Sequence, residues 1–247
     1  MDTFKAGNPD TPIHGIATTM MATLDLLERA ARAGRNLITH EPTFFNHEDN
    51  TQSFSTDKVL EAKLNFIAKN DLVVWRFHDH WHARRPDGVM TGMAKALGLE
   101  KHKSPDGDGL FDIPNTTLEA LASDMQSRLK IRVLRVVGDP KLPVRRISMS
   151  PGYAMLQGVM RGFARPDVDV VVVGETREWE AVEYAQDLIS AGGKKALILL
   201  GHVLSEEAGM QECAEWLRTF VTEVPIDFIA AGEPYWAPSP RGDGKRR

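Results

Sequence analysis

The run Ala196-Leu197-Ile198-Leu199-Leu200 is the feature that most narrows what this chain can fold into. Five consecutive apolar residues leave no face for water, the pattern of a strand covered on both sides and typical of parallel sheets packed between helices. Gly201 closes the run. From Glu206 onward Met210, Cys213, Ala214, Leu217, Phe220 and Val221 recur at helical spacing, with Ser205 expected as the N-cap. His202 and Glu206 therefore flank a strand-to-helix turn. In open α/β sheets ligands gather outside the carboxyl ends of strands, so an imidazole and a carboxylate four residues apart there could both reach one metal ion. Taken alone, the pair is better explained by a surface histidine and a first-turn acid favoured by the helix dipole.

The same handover recurs along the chain. A helix over Thr23–Ala33, closed by Gly34, precedes a strand Asn36–Thr39 that delivers His40-Glu41-Pro42 to its carboxyl end, where Pro42 forbids a helix running on through Glu41. A helix over Thr56–Asn70, with Val59, Leu60, Leu64 and Ile67 inward, precedes a strand Leu72–Phe77 that ends in His78-Asp79-His80-Trp81-His82. His78 and His82 share a face whether that segment is extended or helical. Beyond a turn-rich Arg84–Gly92, the spacing predicts a short helix Met93–Leu97, a polar loop Lys101–Gly109, a helix Leu118–Leu129, and a strand Ile131–Val137 paired antiparallel with Val144–Met149. Asp106-Gly107-Asp108-Gly109 fails as a calcium loop because the next alternating ligand position is Leu110. A helix Tyr153–Phe163, a strand Val168–Val173 ending at Gly174-Glu175, a helix Trp179–Ala191 and a last strand Ile226–Ile229 complete the pattern.

The expected fold is α/β, in two lobes of 1–100 and 101–236 with mixed sheets flanked by helices, followed by a flexible tail, 237–247. With 42% hydrophobic residues in 247, the chain can bury a sizeable core. No apolar run reaches the length of a membrane span. A net charge of −4 argues against broad nucleic-acid or anionic-membrane binding, which needs a basic face, and is compatible with small anionic substrates. The lone Cys213 excludes an internal disulfide and falls among core positions. There is no Gly-x-x-x-x-Gly-Lys, no Gly-x-Gly-x-x-Gly and no Gly-x-Ser-x-Gly, so neither a standard phosphate loop nor a serine nucleophile elbow is present.

Four strand ends thus offer ligand-type residues: His40/Glu41, His78/His82, Glu175 and His202/Glu206. Each has an ordinary explanation singly, but together they point to a metal site. These stretches also resemble the dinuclear-metal-centre family of GTP cyclohydrolase 1 type 2 homologues, the Nif3-like proteins. Leu37–Pro42 is similar to that family's strand followed by His-His-Pro, and His78–His82 to its His-Thr-x-x-Asp. Gly88–Leu99, Val133–Gly138 and Gly174-Glu175 resemble further family segments. Gly201-His202-Val203-Leu204-Ser205-Glu206 fits its Gly-His-x-x-Ser-Glu.

The resemblance implies a Nif3-like fold with the metal site in the cleft between lobes, a homohexameric ring, and metal ligands at His40, Glu41, His82, His202 and Glu206. Two positions depart from the family. Glu41 stands where a second histidine is usual and His82 where an aspartate is usual, so three imidazoles and two carboxylates are kept. The expected cofactors are two divalent transition-metal ions, Zn, Mn, Fe, Co or Ni, with Glu41 or Glu206 as the bridge because imidazole cannot span two ions as a carboxylate does. The expected function is metal-dependent hydrolysis of a small molecule, with His78 as a candidate catalytic proton shuttle or as a residue that orients a ligand from behind. The alternative is a non-catalytic, ring-forming metal-binding assembly or sensor protein. The expected location is the cytoplasm, with an exported parent that has lost an N-terminal signal as the other option.

Overall fold

Two five-stranded mixed sheets carry the chain in a computed structural model that describes residues 1–238. The first contains β1 (Thr3–Ala6), β2 (Ile16–Thr19), β3 (Asn36–Thr39), β4 (Val74–Arg76) and β10 (Ile226–Phe228), in the order β1-β4-β3-β2-β10. The second contains β5 (Leu110–Thr117), β6 (Arg135–Val137), β7 (Pro143–Tyr153), β8 (Val170–Glu175) and β9 (Ala196–Leu199), in the order β5-β7-β8-β9-β6. The central strands of each sheet run parallel and the antiparallel members lie at edges. This explains the apolar runs: Val170–Val173 and Ala196–Leu199 are buried on both faces.

Helices α1 (Leu24–Arg32), α2 (Lys58–Lys69), α3 (Asp79–Ala83), α4 (Gly88–Ala96), α5 (Leu118–Leu129), α6 (Leu156–Ala164), α7 (Glu183–Ser190) and α8 (His202–Leu217) complete the fold. Helix α8 packs against β2 and β10 of one sheet and β7 and β8 of the other, so its residues see both. Its close partner is α4, where glycines remove the side chains that would hold the backbones apart. A Cβ at Gly92 would stand 2.2 Å from Ala208 O, and one at Gly209 would stand 2.6 Å from Val89 Cα. The Trp81 indole N–H donates to Gly209 O at 3.2 Å and the Thr18 hydroxyl to Met210 O at 2.6 Å, fixing the height of α8 against the first sheet. Cys213 is buried on this helix, and burial pushes its thiol pKa up to about 12, so it behaves as a core residue.

Several elements differ from the sequence reading, each for a local reason. Ser205 is not an N-cap, because α8 starts three residues before it, at His202. Its hydroxyl instead donates to His202 O and accepts from Gly152 N. The segment 84–92 is helical from Gly88, where Asp87 accepts from Val89 N and Met90 N. β7 does not pair with β6. It lies between β5 and β8, and β6 caps the far edge beside β9, a placement that a short connection does not dictate. Tyr153 ends β7 rather than opening a helix. The last strand, β10, leaves the second lobe's sequence range and joins the first sheet beside β2. In α2 the buried residues are Leu60, Lys63 and Ile67, whereas Val59 and Leu64 are exposed. The tail expected over 237–247 lies outside the described residues from 239 onward.

Candidate metal centre

The carboxyl ends of β3, β4, β8 and β9 deliver His40/Glu41, His78, Glu175 and His202, and the first turn of α8 adds Glu206. His82 sits one turn into α3, beside His78. The ring centroids of His40, His78 and His82 lie 4.5, 5.0 and 4.9 Å apart pairwise, and His40–His78–His82 and His40–Glu41–Glu206 each bring ligand atoms within 4.8 Å of one another. His78, expected as a proton shuttle, thus stands as near to His40 and His82 as a third imidazole ligand would.

Glu206 is the hub. Its Oε2 lies 3.7 Å from His40 Nε2 and 3.1 Å from His202 Nε2, and its Oε1 lies 3.7 Å from His82 Nε2. His202 Nε2 is shared, 3.0 Å from Glu41 Oε1, to which it is hydrogen-bonded, and 3.1 Å from Glu206 Oε2. All three rings present Nε2 because each Nδ1 is already engaged: His40 with Phe77 O at 3.3 Å, His82 with Asp87 Oδ2 at 3.0 Å, and His202 with Glu175 Oε1 at 2.9 Å. A carbonyl only accepts, so His40 Nδ1 carries the proton and Nε2 is a bare lone pair. That Nε2 is buried and has no hydrogen-bond partner. Outer partners of this kind fix tautomer and ring direction in metal-binding histidines.

The electrostatics match the geometry. Burial, reinforced by the neighbouring imidazoles against the pull of Glu206, pushes the His40 pKa down to about 4 and keeps the ring neutral. Burial opposes charge on His202 as well, but Glu206, Glu41 and Glu175 outweigh it and raise its pKa to about 11. The field that holds a proton on that ring is a field that attracts a cation. Burial also works against ionisation of Glu41, yet the hydrogen bond from His202 overrides it and its pKa falls to about 2. For His82, burial is likewise overridden by Asp87, which raises the pKa. Arg76, fully buried, has Nη2 3.7 Å from Glu41 Oε2 and balances part of this negative charge.

Two supports were not visible in the sequence. The first is Gly152, whose φ of +70° suits glycine and whose missing side chain makes room for Glu206, since a Cβ there would stand 2.4 Å from Oε1. Gly152→Ala is expected to displace the carboxylate and weaken metal binding at least tenfold, the scale of outer-partner losses, as read by metal titration of the folded variant. Unchanged affinity would show that Glu206 is not held from this side. The second is Asp2, whose buried carboxylate accepts from the backbone N–H groups of His78, Asp79 and His80 at 2.8 to 2.9 Å. It caps α3, which has no side-chain cap of its own. In the sequence Asp2 is one polar residue in a polar start, and nothing near it marks its partners 76 to 78 residues away.

Burial raises the Asp2 pKa, but these donors outweigh it and hold the carboxyl well below its usual value. A depressed folded pKa gives stability that is full above the unfolded value of about 3.9 and is lost as pH falls below it. Asp2→Ala is therefore expected to cost about 1 to 2 kcal/mol at pH 7, the range of a lost N-cap. The cost should shrink as pH drops below about 4, measured by denaturant unfolding at several pH values. A pH-independent cost would show that Asp2 acts by packing alone.

Known proteins of this shape bear on the site's origin. A curated relative, a GTP cyclohydrolase 1 type 2 homolog from Clostridium perfringens (strain 13 / Type A), is 22% identical over 238 residues, covering 92% of this chain and 86% of its own. The Staphylococcus aureus hypothetical protein SA1388 superposes with a TM-score of 0.74 at 18% identity, covering 96% of this chain and 92% of its own. A Bacillus cereus protein related to NIF3 gives 0.73 at 15% identity, with coverage of 97% and 92%. Identities this low carry the fold alone. The model of the Duf34/NIF3 (NGG1p interacting factor 3) family, however, matches residues 4–234, nearly the whole sequence, and the chain belongs to that family.

Proposed function

We propose that this protein is a metal-dependent hydrolase-like enzyme in which His40, Glu41, His82, His202 and Glu206 hold up to two divalent transition-metal ions in the cleft between the sheets. One observation carries the reading: His40 Nε2, a buried lone pair with no hydrogen-bond partner, faces the buried Glu206 Oε2 3.7 Å away, and the same carboxylate meets His82 and His202. Two acceptors so placed are costly unless a cation or a proton lies between them. The donor set, three imidazole Nε2 atoms and two carboxylates, suits Zn, Mn, Fe, Co or Ni. Glu206 would hold metal from both sides of its carboxylate, since Oε1 faces His82 and Oε2 faces His40 and His202. When bound, such ions supply a water of lowered pKa and positive charge for a developing oxyanion.

The chain's own residues supply the rest. Asp87 and Glu175 hold the His82 and His202 rings in place through Nδ1, and Arg76 and His202 hold Glu41 between them. His78, with Nδ1 2.9 Å from Asp79 Oδ1, can take or give a proton at Nε2. A cavity of about 510 Å³ reaches Glu41 and His202, and another of about 400 Å³ reaches His82 and Asp87. This access favours a site that meets small molecules over a sealed structural one. Hydrolysis of phosphorylated and heterocyclic small molecules, GTP included, by chelated and metal-refilled protein tests the reading. Turnover restored by metal supports it, whereas no turnover with any metal would favour the assembly or sensor protein.

The surface supports self-association as well. Trp179, Tyr235 and Trp236 are 71%, 67% and 74% exposed, which fits burial in a homo-oligomer such as a hexamer. Light scattering at working concentration reads this directly, and a monomer would refute it.

A further inference from the structure

Helix α2 buries a lysine where its apolar period would place Leu64 or Val59. Lys63 is 4% exposed, while Leu64 and Val59 are 43% and 54% exposed. Lys63 falls at helical spacing between the buried Leu60 and Ile67, so the face is ordinary and the residue type is not, and a local rule broken at a buried charge points to function. The ammonium donates one hydrogen bond, to Thr43 O, and lies 4.8 Å from the Phe45 ring centroid. No carboxylate among the described residues forms an ion pair with it. Asp49, the nearby acid, is paired to Lys5 at 3.4 Å and to Arg76 at 3.8 Å. Burial accordingly pushes the Lys63 pKa down to about 8, with Asp49 opposing only in part. A buried ammonium with spare donors is costly unless something negative meets it.

Lys63 lines the same 510 Å³ cavity as Glu41 and His202. The rest of the lining is mostly apolar, with Met20, Met21, Pro42, Phe45 and Val59 among it, and its further polar members are Thr23, Thr43, Asn46 and His47. The volume is that of a small-molecule site, and a single cation in an apolar wall fixes orientation in such sites. We propose that this cavity is the substrate subsite of the candidate centre, and that it takes a small apolar or aromatic molecule with one anionic oxygen group received by Lys63. The inference rests on the metal-centre reading for its orientation, with the reacting end toward Glu41 and His202. It does not depend on that reading for the anion contact.

The test is calorimetric binding of benzoate, phenyl phosphate and the neutral isostere benzamide to wild type, Lys63→Met and Lys63→Arg, each chelated and metal-refilled. Wild type should bind at least one of the two anions tenfold or more tightly than benzamide, and whichever is preferred identifies carboxylate or phosphate as the group received. Lys63→Met should abolish that preference and Lys63→Arg keep most of it, with metal content unchanged in both. Val59→Trp, at a partly exposed position on the cavity wall, should weaken all three probes and keeps the test readable if Lys63→Met fails to fold. Equal binding of anions and benzamide by wild type, an anion preference that survives Lys63→Met, or full affinity in Val59→Trp would each overturn the proposal. Metal analysis of the same samples keeps the two readings apart: a wild type that binds no metal sinks the centre, while the chelated arms still report on Lys63.

Discussion

Replacing His202 and Glu206 together by alanine is expected to abolish tight metal binding. Glu206 is the group toward which His40, His82 and His202 all turn an Nε2, and His202 is also the contact of Glu41. Without the pair, His40, His78, His82 and Glu41 remain, but the buried carboxylate that faces three of the imidazoles is gone. The effect should appear twice. Elemental analysis after chelation and refilling should fall from up to two ions per chain to none. The metal-dependent gain in unfolding free energy, about 4 kcal/mol for free metal at a thousandfold excess over its Kd, should vanish as well. A double variant with unchanged stoichiometry would place the ions elsewhere.

The second large effect concerns Glu41 and His82. Glu41→His alone removes the carboxylate that Arg76 and His202 hold, leaving the guanidinium against two imidazoles. His82→Asp alone places a third carboxylate near Glu206 and Asp87, which now face the imidazole. Either single change should weaken one site by about 0.5 to 3 kcal/mol, the range for residues that share a network. Made together, the changes restore three imidazoles and two carboxylates among the ligands and should keep two-metal binding. Hydrolytic turnover, if present, should follow the same non-additive pattern. Should the double lose as much metal as the two singles summed, the positions are independent and the compensation is illusory.

The sequence was most readable where burial leaves a continuous mark. Runs such as Val170–Val173 and Ala196–Leu199 are apolar on both faces, so the strands and the polar residues at their ends could be found from pattern alone. The edges were not. β1 is four residues in a polar start, and β5 carries Pro114 and Asn115 across a shift of register, so neither shows a clear period of two. Pairing of β7 with β6 was expected from a short connection, but tertiary packing placed β6 beside β9 instead. The ligand-type residues of the site were legible, since they follow strand ends. Their supports were not: Phe77 O, Asp2 and Gly152 act through contacts between elements distant in the chain. Asp87 did leave a signal as the N-cap before Gly88, a signal that a turn-rich reading of 84–92 passed over. Lys63 was hidden because the period of α2 points to Val59 and Leu64 as the inward residues.

The most direct test of the metal centre is anomalous diffraction at the metal edge from crystals of chelated and refilled protein. Two peaks are expected, roughly 3.5 to 4 Å apart, each about 2.0 to 2.2 Å from its ligand atoms, drawn from Glu41, Glu206 and the Nε2 atoms of His40, His82 and His202. Refilled crystals with no peak among these five residues, or with ordered metal bound only elsewhere, would contradict the account.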